Sequence, residues 1–285
     1  MKSSSFVTSG PAAGMRITPA GKVVSATTSP SKALNISPTN AANDRDRVTT
    51  LLEQQGFEII PAVITEEHRA AIAAHAGAAL DGVVGSRQLL EHGWCAALAE
   101  HIRRHPLLVP VLGSCLRAVQ CTYFDKSRLS NWLVAYHQDL SIPVAARVGS
   151  PACSAWAVKE GVTYVQPPFP VLESLIAVRL HLDDCREGNG PLRVLAGTHV
   201  HGRVRSSELP RMRELHSEIT CLASAGDVLA FKPLLLHASS KATTSTSRRV
   251  LHFLYGPDRL PEGLEWRAAA GKRRGAAAGP RKSTS

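Results

Sequence analysis

The sequence predicts an α+β chain with a mainly β core, its helices gathered first and its β part closed as a sandwich or jelly-roll barrel. Three observations carry this. Before Gly113 the chain is rich in alanine and carries helix start and stop signals. After Gly113 apolar runs of strand length recur between turn signals. At 285 residues the chain has room for one sizeable core and too little for two full enzymes.

Residues 1–44 are rich in Ser, Thr, Ala and Pro and are expected to form a disordered basic tail. They loosely resemble a transit peptide, but arginine is sparse and no amphipathic period appears, so no targeting is assigned. The folded domain is expected over 45–267. Residues 45–55 read as a short helix stopped by Gly56, and Phe57 to Ile64 as β-prone. Thr65 is placed to cap a helix through about His75, with Glu66 and Glu67 in the first turn, where negative charge suits the helix dipole. A second helical stretch spans about Ser86 to Arg104 and stops before Pro106. Strands are expected at about 116–124, 131–138, 163–166, 172–183, 191–195, 227–237 and 248–255. Residues 268–285 form a second low-complexity tail, also expected to be disordered.

The net charge of +10 belongs to the tails. Residues 1–43 carry four basic and no acidic residues, and 268–285 carry five and none, which leaves about +1 for the rest. The middle region holds none of the usual nucleic-acid-binding motifs, so no specific nucleic-acid binding is expected. No apolar run approaches the roughly 20 residues that cross a bilayer. Six scattered cysteines without a CxxC pair read as reduced thiols, and a cytoplasmic location is expected. No feature sets an oligomeric state.

The chemistry concentrates in two segments. Residues 131–139 read NWLVAYHQD. Side chains two apart in a strand project from one face, so His137 and Asp139 converge. Together they make the local half of a 2-His-1-carboxylate facial triad, the arrangement that holds Fe(II) and leaves positions open for a co-substrate and O₂. A competing HxD stands at His181–Asp183. The second segment, from Gly226 to Ser239, launches an apolar strand that ends at His237. Eleven residues on, Arg248 opens the last strand. A guanidinium grips a carboxylate with two parallel charge-assisted hydrogen bonds. Spacing therefore favours Arg248 over Arg249, which is expected on the opposite face.

With these elements in this order, the chain from roughly Gly56 to Tyr255 resembles the phytanoyl-CoA dioxygenase family of Fe(II)/2-oxoglutarate oxygenases. The resemblance rests on HQD at His137–Asp139, LDD at Leu182–Asp184, the run from Asn189 to His199, AGD at Ala225–Asp227, PLLLH ending at His237, and the delayed Arg248. It implies a double-stranded β-helix (jelly roll) with flanking helices, and iron ligands at His137, Asp139 and His237. It also implies that Arg248, helped by Ser239, clamps the 2-oxoglutarate carboxylate. The implied reaction turns 2-oxoglutarate and O₂ into succinate and CO₂ while oxidising a small-molecule substrate, usually to an alcohol. Asp139 is the ligand that halogenating relatives lack, which favours hydroxylation over chlorination. One departure is Arg179, where many relatives carry an aromatic residue. Alternation puts Arg179, His181 and Asp183 on one face of their strand and Ile176, Val178, Leu180 and Leu182 on the core face. Arg179 is expected at the barrel mouth, against 2-oxoglutarate or an anionic substrate, so an acyl-CoA substrate does not carry over.

Other residues keep two readings each. His181 and Asp183 serve either structure or the substrate pocket. His252 borders the pocket or is a satisfied core histidine. Asn131 and Trp132 pack or line the pocket, and Gln166 is a lid, a pocket residue or neither. His199 and His201 mark a polar turn or a substrate contact. Against the enzyme stands a catalytically silent jelly-roll module that binds a metal or ligand without turnover, although such a module has no need of a carboxylate clamp.

Overall fold

The computed structural model describes residues 24–26, 38–79, 85–127 and 130–267. The expected 268–285 tail lies outside these residues, as does most of the expected N-terminal tail. Two parts of the 1–44 stretch nevertheless take up secondary structure. Val24–Ala26 forms strand β1, and helix α1 runs Pro38–Gln54 rather than starting near Asp44. A proline at the first helical position costs no hydrogen bond, which suits that early start.

Strand β2 (Phe57–Ile60) follows Gly56. Helix α2 (Glu66–Ala79) opens at the expected cap, the Thr65 Oγ1 accepting from the His68 amide at 3.3 Å. The stretch expected as one helix from Ser86 is divided. It holds strand β3 (Gly85–Ser86), a tight turn at Leu89–Glu91 and helix α3 (Gly93–Arg103). Helix α4 (Val109–Leu112) ends at Gly113.

The β part follows. Its first strands are β4 (Leu116–Lys126), β5 (Val134–His137), β6 (Ile142–Val144), β7 (Ser154–Lys159) and β8 (Val162–Gln166). Helix α5 (Phe169–Ser174) precedes β9 (Ile176–His181), so the strand expected over 172–183 begins in the last turn of a helix. Pro170 in the first turn supplies the helix start. Strand β10 (Leu192–Leu195), helix α6 (Leu209–Leu215) and β11 (Glu218–Cys221) come next. The strand expected over 227–237 is two, β12 (Val228–Phe231) and β13 (His237–Ser239). Pro233 has no amide to give a ladder, and the turn it sits in carries the chain from one sheet to the other. Strand β14 (Arg248–Pro257) is the last and runs between β9 and β4.

The larger sheet has the order β2-β12-β9-β14-β4-β3, the smaller β1-β11-β10-β13-β5. Phe57, Ala177, Leu229 and Phe231 of the first pack on Leu192, Val194 and Cys221 of the second, forming the core of a jelly roll. The outer face of the larger sheet meets the helices: Val178, Leu180, Leu251 and Phe253 pack with Val48, Leu52, Ile72, Leu98 and Ile102. Strand β9 obeys the predicted alternation, with Ile176, Val178 and Leu180 on the helix side. A three-stranded sheet, β6-β8-β7, shares a further cluster with α5 and Leu254 of β14.

Candidate metal centre and its cavity

Crossing to the smaller sheet sets His237 directly opposite His137 in the β13–β5 ladder. Their ring centroids stand 4.2 Å apart. Asp139, just past β5, lies with Oδ1 3.5 Å from His137 Nε2 and Oδ2 3.7 Å from His237 Nε2. One ligand atom from each residue falls within 4.8 Å of the other two, and among the described residues this is the cluster of His, Cys, Asp or Glu able to hold a metal ion. The competing pair at His181–Asp183 does not form such a cluster.

Backbone carbonyls fix the imidazoles. His137 Nδ1 donates to Ala135 O at 2.9 Å, and His237 Nδ1 donates to Leu235 O at 2.8 Å. With the proton on Nδ1, each Nε2 presents its lone pair toward Asp139, the tautomer a metal ligand needs. Burial pulls His237 down to about 4, so it stays neutral near pH 7. At His137 burial also lowers the value, but the Asp139 carboxylate outweighs it and the net shift is upward. Burial works to raise the Asp139 carboxyl; the neighbouring His237 and His137 outweigh it and hold it well below its ordinary range.

Between the two β5 ligands, Gln138 points the other way. Its Nε2 donates to Gly202 O and Leu234 O at 2.7 Å each, and its Oε1 accepts from Val204 N at 2.9 Å. The Asp139 amide donates to Pro233 O at 2.9 Å. The HQD segment is thus fastened to the turn that delivers His237. Thr198 does similar work: its Oγ1 accepts from the Leu236 amide and donates to Leu195 O.

The triad borders a cavity of about 220 Å³ whose inward wall is built by β4, β9 and β14. Arg248 lines it, 2% exposed, with Nε and Nη1 buried and lacking a hydrogen-bond partner. Opposite it in the ladder stands Lys126, buried, its Nζ donating to Ser239 Oγ and to Ser240 O at 2.7 Å. Burial, then Arg248 and Arg179, pull the Lys126 ammonium down to about 8. Gly190, in left-handed backbone, allows this approach, since a Cβ there would lie 2.6 Å from Ser240 O and 2.9 Å from the Lys126 side chain. Ser239 Oγ in turn donates to Gly190 O.

Arg179 is buried in the same cavity, its guanidinium 5.5 Å from the Phe124 ring centroid, with Nε and Nη1 unpartnered. His252, its ladder partner, and Trp132 also line the space. Burial first, then Arg179, lowers His252 to about 3.

The remaining expectations resolve as follows. His181 is buried with both nitrogens unpartnered and lies behind the cavity rather than on its wall. Asp183 turns away, to Arg249, which it binds through two oxygens at 2.7 and 2.8 Å. Strand β9 stops at His181, so the alternation that grouped Asp183 with Arg179 no longer applies. Asn131 clamps the Ala242 backbone by two hydrogen bonds and does not line the cavity. Gln166 sits at the end of β8, also away from it. His199 bonds the Glu53 carbonyl and His201 the His216 ring, so the polar-turn reading holds. Lys126, Gln120 and Thr122 were not singled out from the sequence. Their signal was there: Gln120, Thr122 and Lys126 share a face with Phe124, out of phase with Cys121 and Tyr123, which face the helices.

The AGD and NG elements prove structural. The Asp227 carboxylate accepts from the Ala62 and Ser224 amides, and the Asn189 side chain bonds the Arg186 amide and the Asp184 carbonyl. These bonds set the turns at the ends of β12 and β10.

Two facing sheets with a pinned His-Asp-His cluster at the edge of a cavity define a jelly-roll oxygenase architecture. The family pattern of phytanoyl-CoA dioxygenase (PhyH) matches residues 52–250, and the chain belongs to that family. It is therefore a 2-oxoglutarate-dependent oxygenase that uses Fe(II) and O₂, and the silent binding module is set aside. Solved structures share the fold at low identity. The non-haem alpha-ketoglutarate-dependent carbocyclase SnoK from nogalamycin biosynthesis has a TM-score of 0.59 at 14% identity, over 86% of this chain and 91% of that one. EctD from S. alaskensis, with bound Fe, gives 0.57 at 16%, over 81% and 82%. HygX from Streptomyces hygroscopicus, with nickel and 2-oxoglutarate bound, gives 0.52 at 19%, over 74% and 86%. No curated protein matches the sequence. No helix among the described residues is long and apolar enough to cross a membrane.

Proposed function

We propose that this chain hydroxylates a small-molecule substrate, with His137, Asp139 and His237 holding Fe(II) and Arg248 holding the distal carboxylate of 2-oxoglutarate. The observation that carries the reading is the approach of the three ligand atoms to within 4.8 Å, with both Nε2 lone pairs freed by Nδ1–carbonyl bonds. Two imidazoles and a carboxylate suit Fe(II) and leave open positions on the far side. When bound, iron with 2-oxoglutarate and O₂ supplies the oxidising chemistry, giving succinate and CO₂.

The protein's own part is placement. The unpartnered Nε and Nη1 of Arg248 leave its guanidinium with free donors for a carboxylate. Lys126 adds positive charge beside it and holds Ser239 in place. Phe231 and Leu192 give the cavity an apolar flank. The catalytic unit in this reading spans about 45–267, and a cytoplasmic location fits its six free cysteines, five of them buried.

The test is an anaerobic titration with Fe(II) and 2-oxoglutarate, followed by O₂ and measurement of succinate. Intact protein is expected to form succinate in proportion to bound iron. If His237→Ala formed succinate as fast as the intact chain, the assigned iron site would be wrong.

A further inference from the structure

The cavity carries more positive charge than the co-substrate neutralises. Among the described residues, the fixed charges on its lining are those of Arg87, Lys126, Lys159, Arg179 and Arg248, against the single carboxylate of Asp139. Near the mouth, Arg87 is paired with Glu160, and Lys159 lies over the Tyr164 ring at 5.1 Å. That leaves Lys126, Arg179 and Arg248 inside. Asp139 faces the metal position, and bound Fe(II) adds two further positive charges.

2-Oxoglutarate brings two carboxylates, one for the metal and one for a cationic clamp. Arg248 and Lys126 suit that clamp because they sit opposite one another across the β14–β4 ladder, with Ser239 between them and the metal ligands. Arg179 enters from elsewhere. Its ladder partner is His252, four residues further along β14 than Arg248 and so roughly 13 Å away in backbone position. Only 8% exposed, with Nε and Nη1 unpartnered, it makes no ion pair: it lies over the face of Phe124, and the Asp139 carboxylate acts on it only at longer range. A ring face compensates a guanidinium much less than a carboxylate does, so burying it there is costly without an anion.

We propose that Arg179 is a substrate-binding residue, and that the molecule oxidised in this cavity is an anion whose carboxylate or phosphate pairs with its guanidinium. The inference rests on the proposed co-substrate site and deepens it by naming the substrate class. It selects against neutral and cationic substrates, since with Arg248 and Lys126 taken up by 2-oxoglutarate a cation would still meet the unpaired guanidinium of Arg179 and the metal.

The test uses the full chain loaded anaerobically with Fe(II) and saturating 2-oxoglutarate. Sodium sulfate and sodium acetate, as stand-ins for phosphate and carboxylate groups, are titrated by calorimetry at constant ionic strength, with methylammonium chloride as the cationic control. Intact protein is expected to bind sulfate or acetate and not methylammonium. Arg179→Gln is expected to weaken that binding by at least about tenfold, the loss of one charge-assisted pair, while its affinity for 2-oxoglutarate stays within about threefold. Arg179→Lys keeps the charge and should retain measurable anion binding, which separates loss of charge from loss of fold.

Unchanged sulfate and acetate binding in Arg179→Gln would overturn the proposal. So would a loss of 2-oxoglutarate binding in Arg179→Gln as large as that in Arg248→Gln, because Arg179 would then belong to the co-substrate clamp. Intact protein that took up 2-oxoglutarate but neither anion would defeat this inference alone. Intact protein that took up no 2-oxoglutarate would defeat the reading of the whole site, and this inference with it.

Discussion

The two ends of the cavity are built on opposite principles. At the metal end each polar group has a partner within the chain: both Nδ1 atoms donate to carbonyls, and Asp139 lies between the two Nε2 atoms. At the cationic end Nε and Nη1 of Arg179 and of Arg248 have none, although the Arg248 guanidinium also meets the Cys185 thiol. Buried polar groups are nearly always satisfied, and each exception calls for a reason. The metal end is organised before anything binds, since its geometry is held by the backbone. In the proposed reading the cationic end is completed by ligands, whose negative charge its unpaired donors suit.

Removing one group from each end breaks this comparison most sharply. His137→Ala is expected to lower Fe(II) affinity by more than the roughly 100-fold that outer-shell changes cost, because it deletes a ligand itself. Arg248→Gln should leave Fe(II) affinity near that of the intact chain. It should weaken 2-oxoglutarate by about 2–4 kcal/mol, roughly 30- to 1000-fold, as expected when one partner of a buried charged pair is lost. Equilibrium dialysis with Fe(II), then with 2-oxoglutarate, reads both. If Arg248→Gln lost iron as severely as His137→Ala, the two ends would not be separable.

A pH series sharpens the cationic end. Lys126 is pulled down to about 8 by burial and by the neighbouring Arg248 and Arg179. Below that pH it is charged and favours an anion beside it; as pH rises through 8 it loses the proton and the attraction. Affinity for 2-oxoglutarate should therefore fall on the alkaline side, by up to about tenfold for the loss of one charged hydrogen-bonding partner. Binding itself draws the lysine pKa upward, so the fall is expected somewhat above pH 8. Lys126→Met should bind more weakly at pH 7 and show a flatter profile. An equally steep alkaline loss in Lys126→Met would assign it to another group.

The same contrast explains what the sequence disclosed. His137 and Asp139 were legible because a two-residue spacing on a strand is a local rule, and Arg179 because β9 alternates cleanly between the helix-side core and the cavity. His237 was found although the strand containing it was drawn too long; the apolar run 227–237 hides a turn at Lys232–Leu235, where the chain changes sheets. Local pattern does not say which sheet a short strand joins. Lys126 was missed for a related reason: its partners, Ser239 and Ser240, are more than a hundred residues away. The end of α5, from Leu172 to Ser174, falls in the expected strand because Leu172 and Leu175 are as apolar as β9 itself, and only the prolines ahead of them signal a change. Asp183 was grouped with Arg179 by an alternation that ends two residues too soon.

Preorganisation of the metal end should also show in a residue that touches no ligand. Thr198 is fully buried and lies where the turn after β10 meets the strand entering His237. Its hydroxyl accepts from the Leu236 amide at 2.9 Å and donates to Leu195 O at 2.8 Å. Thr198→Val keeps the volume but leaves one buried amide without its acceptor, which costs about 1–3 kcal/mol of stability. A chain of this size should then melt a few degrees lower, roughly 2–4 °C for each kcal/mol. Because Leu236 is the neighbour of His237, iron affinity should fall modestly as well, by about tenfold at most, the lower range for outer-shell changes. Affinity for 2-oxoglutarate in protein already loaded with iron should hold, since Arg248 and Lys126 stand on other strands. Should Thr198→Val instead weaken 2-oxoglutarate and spare iron, the support around His237 would belong to the cationic end, and the division between the two ends would have to be redrawn.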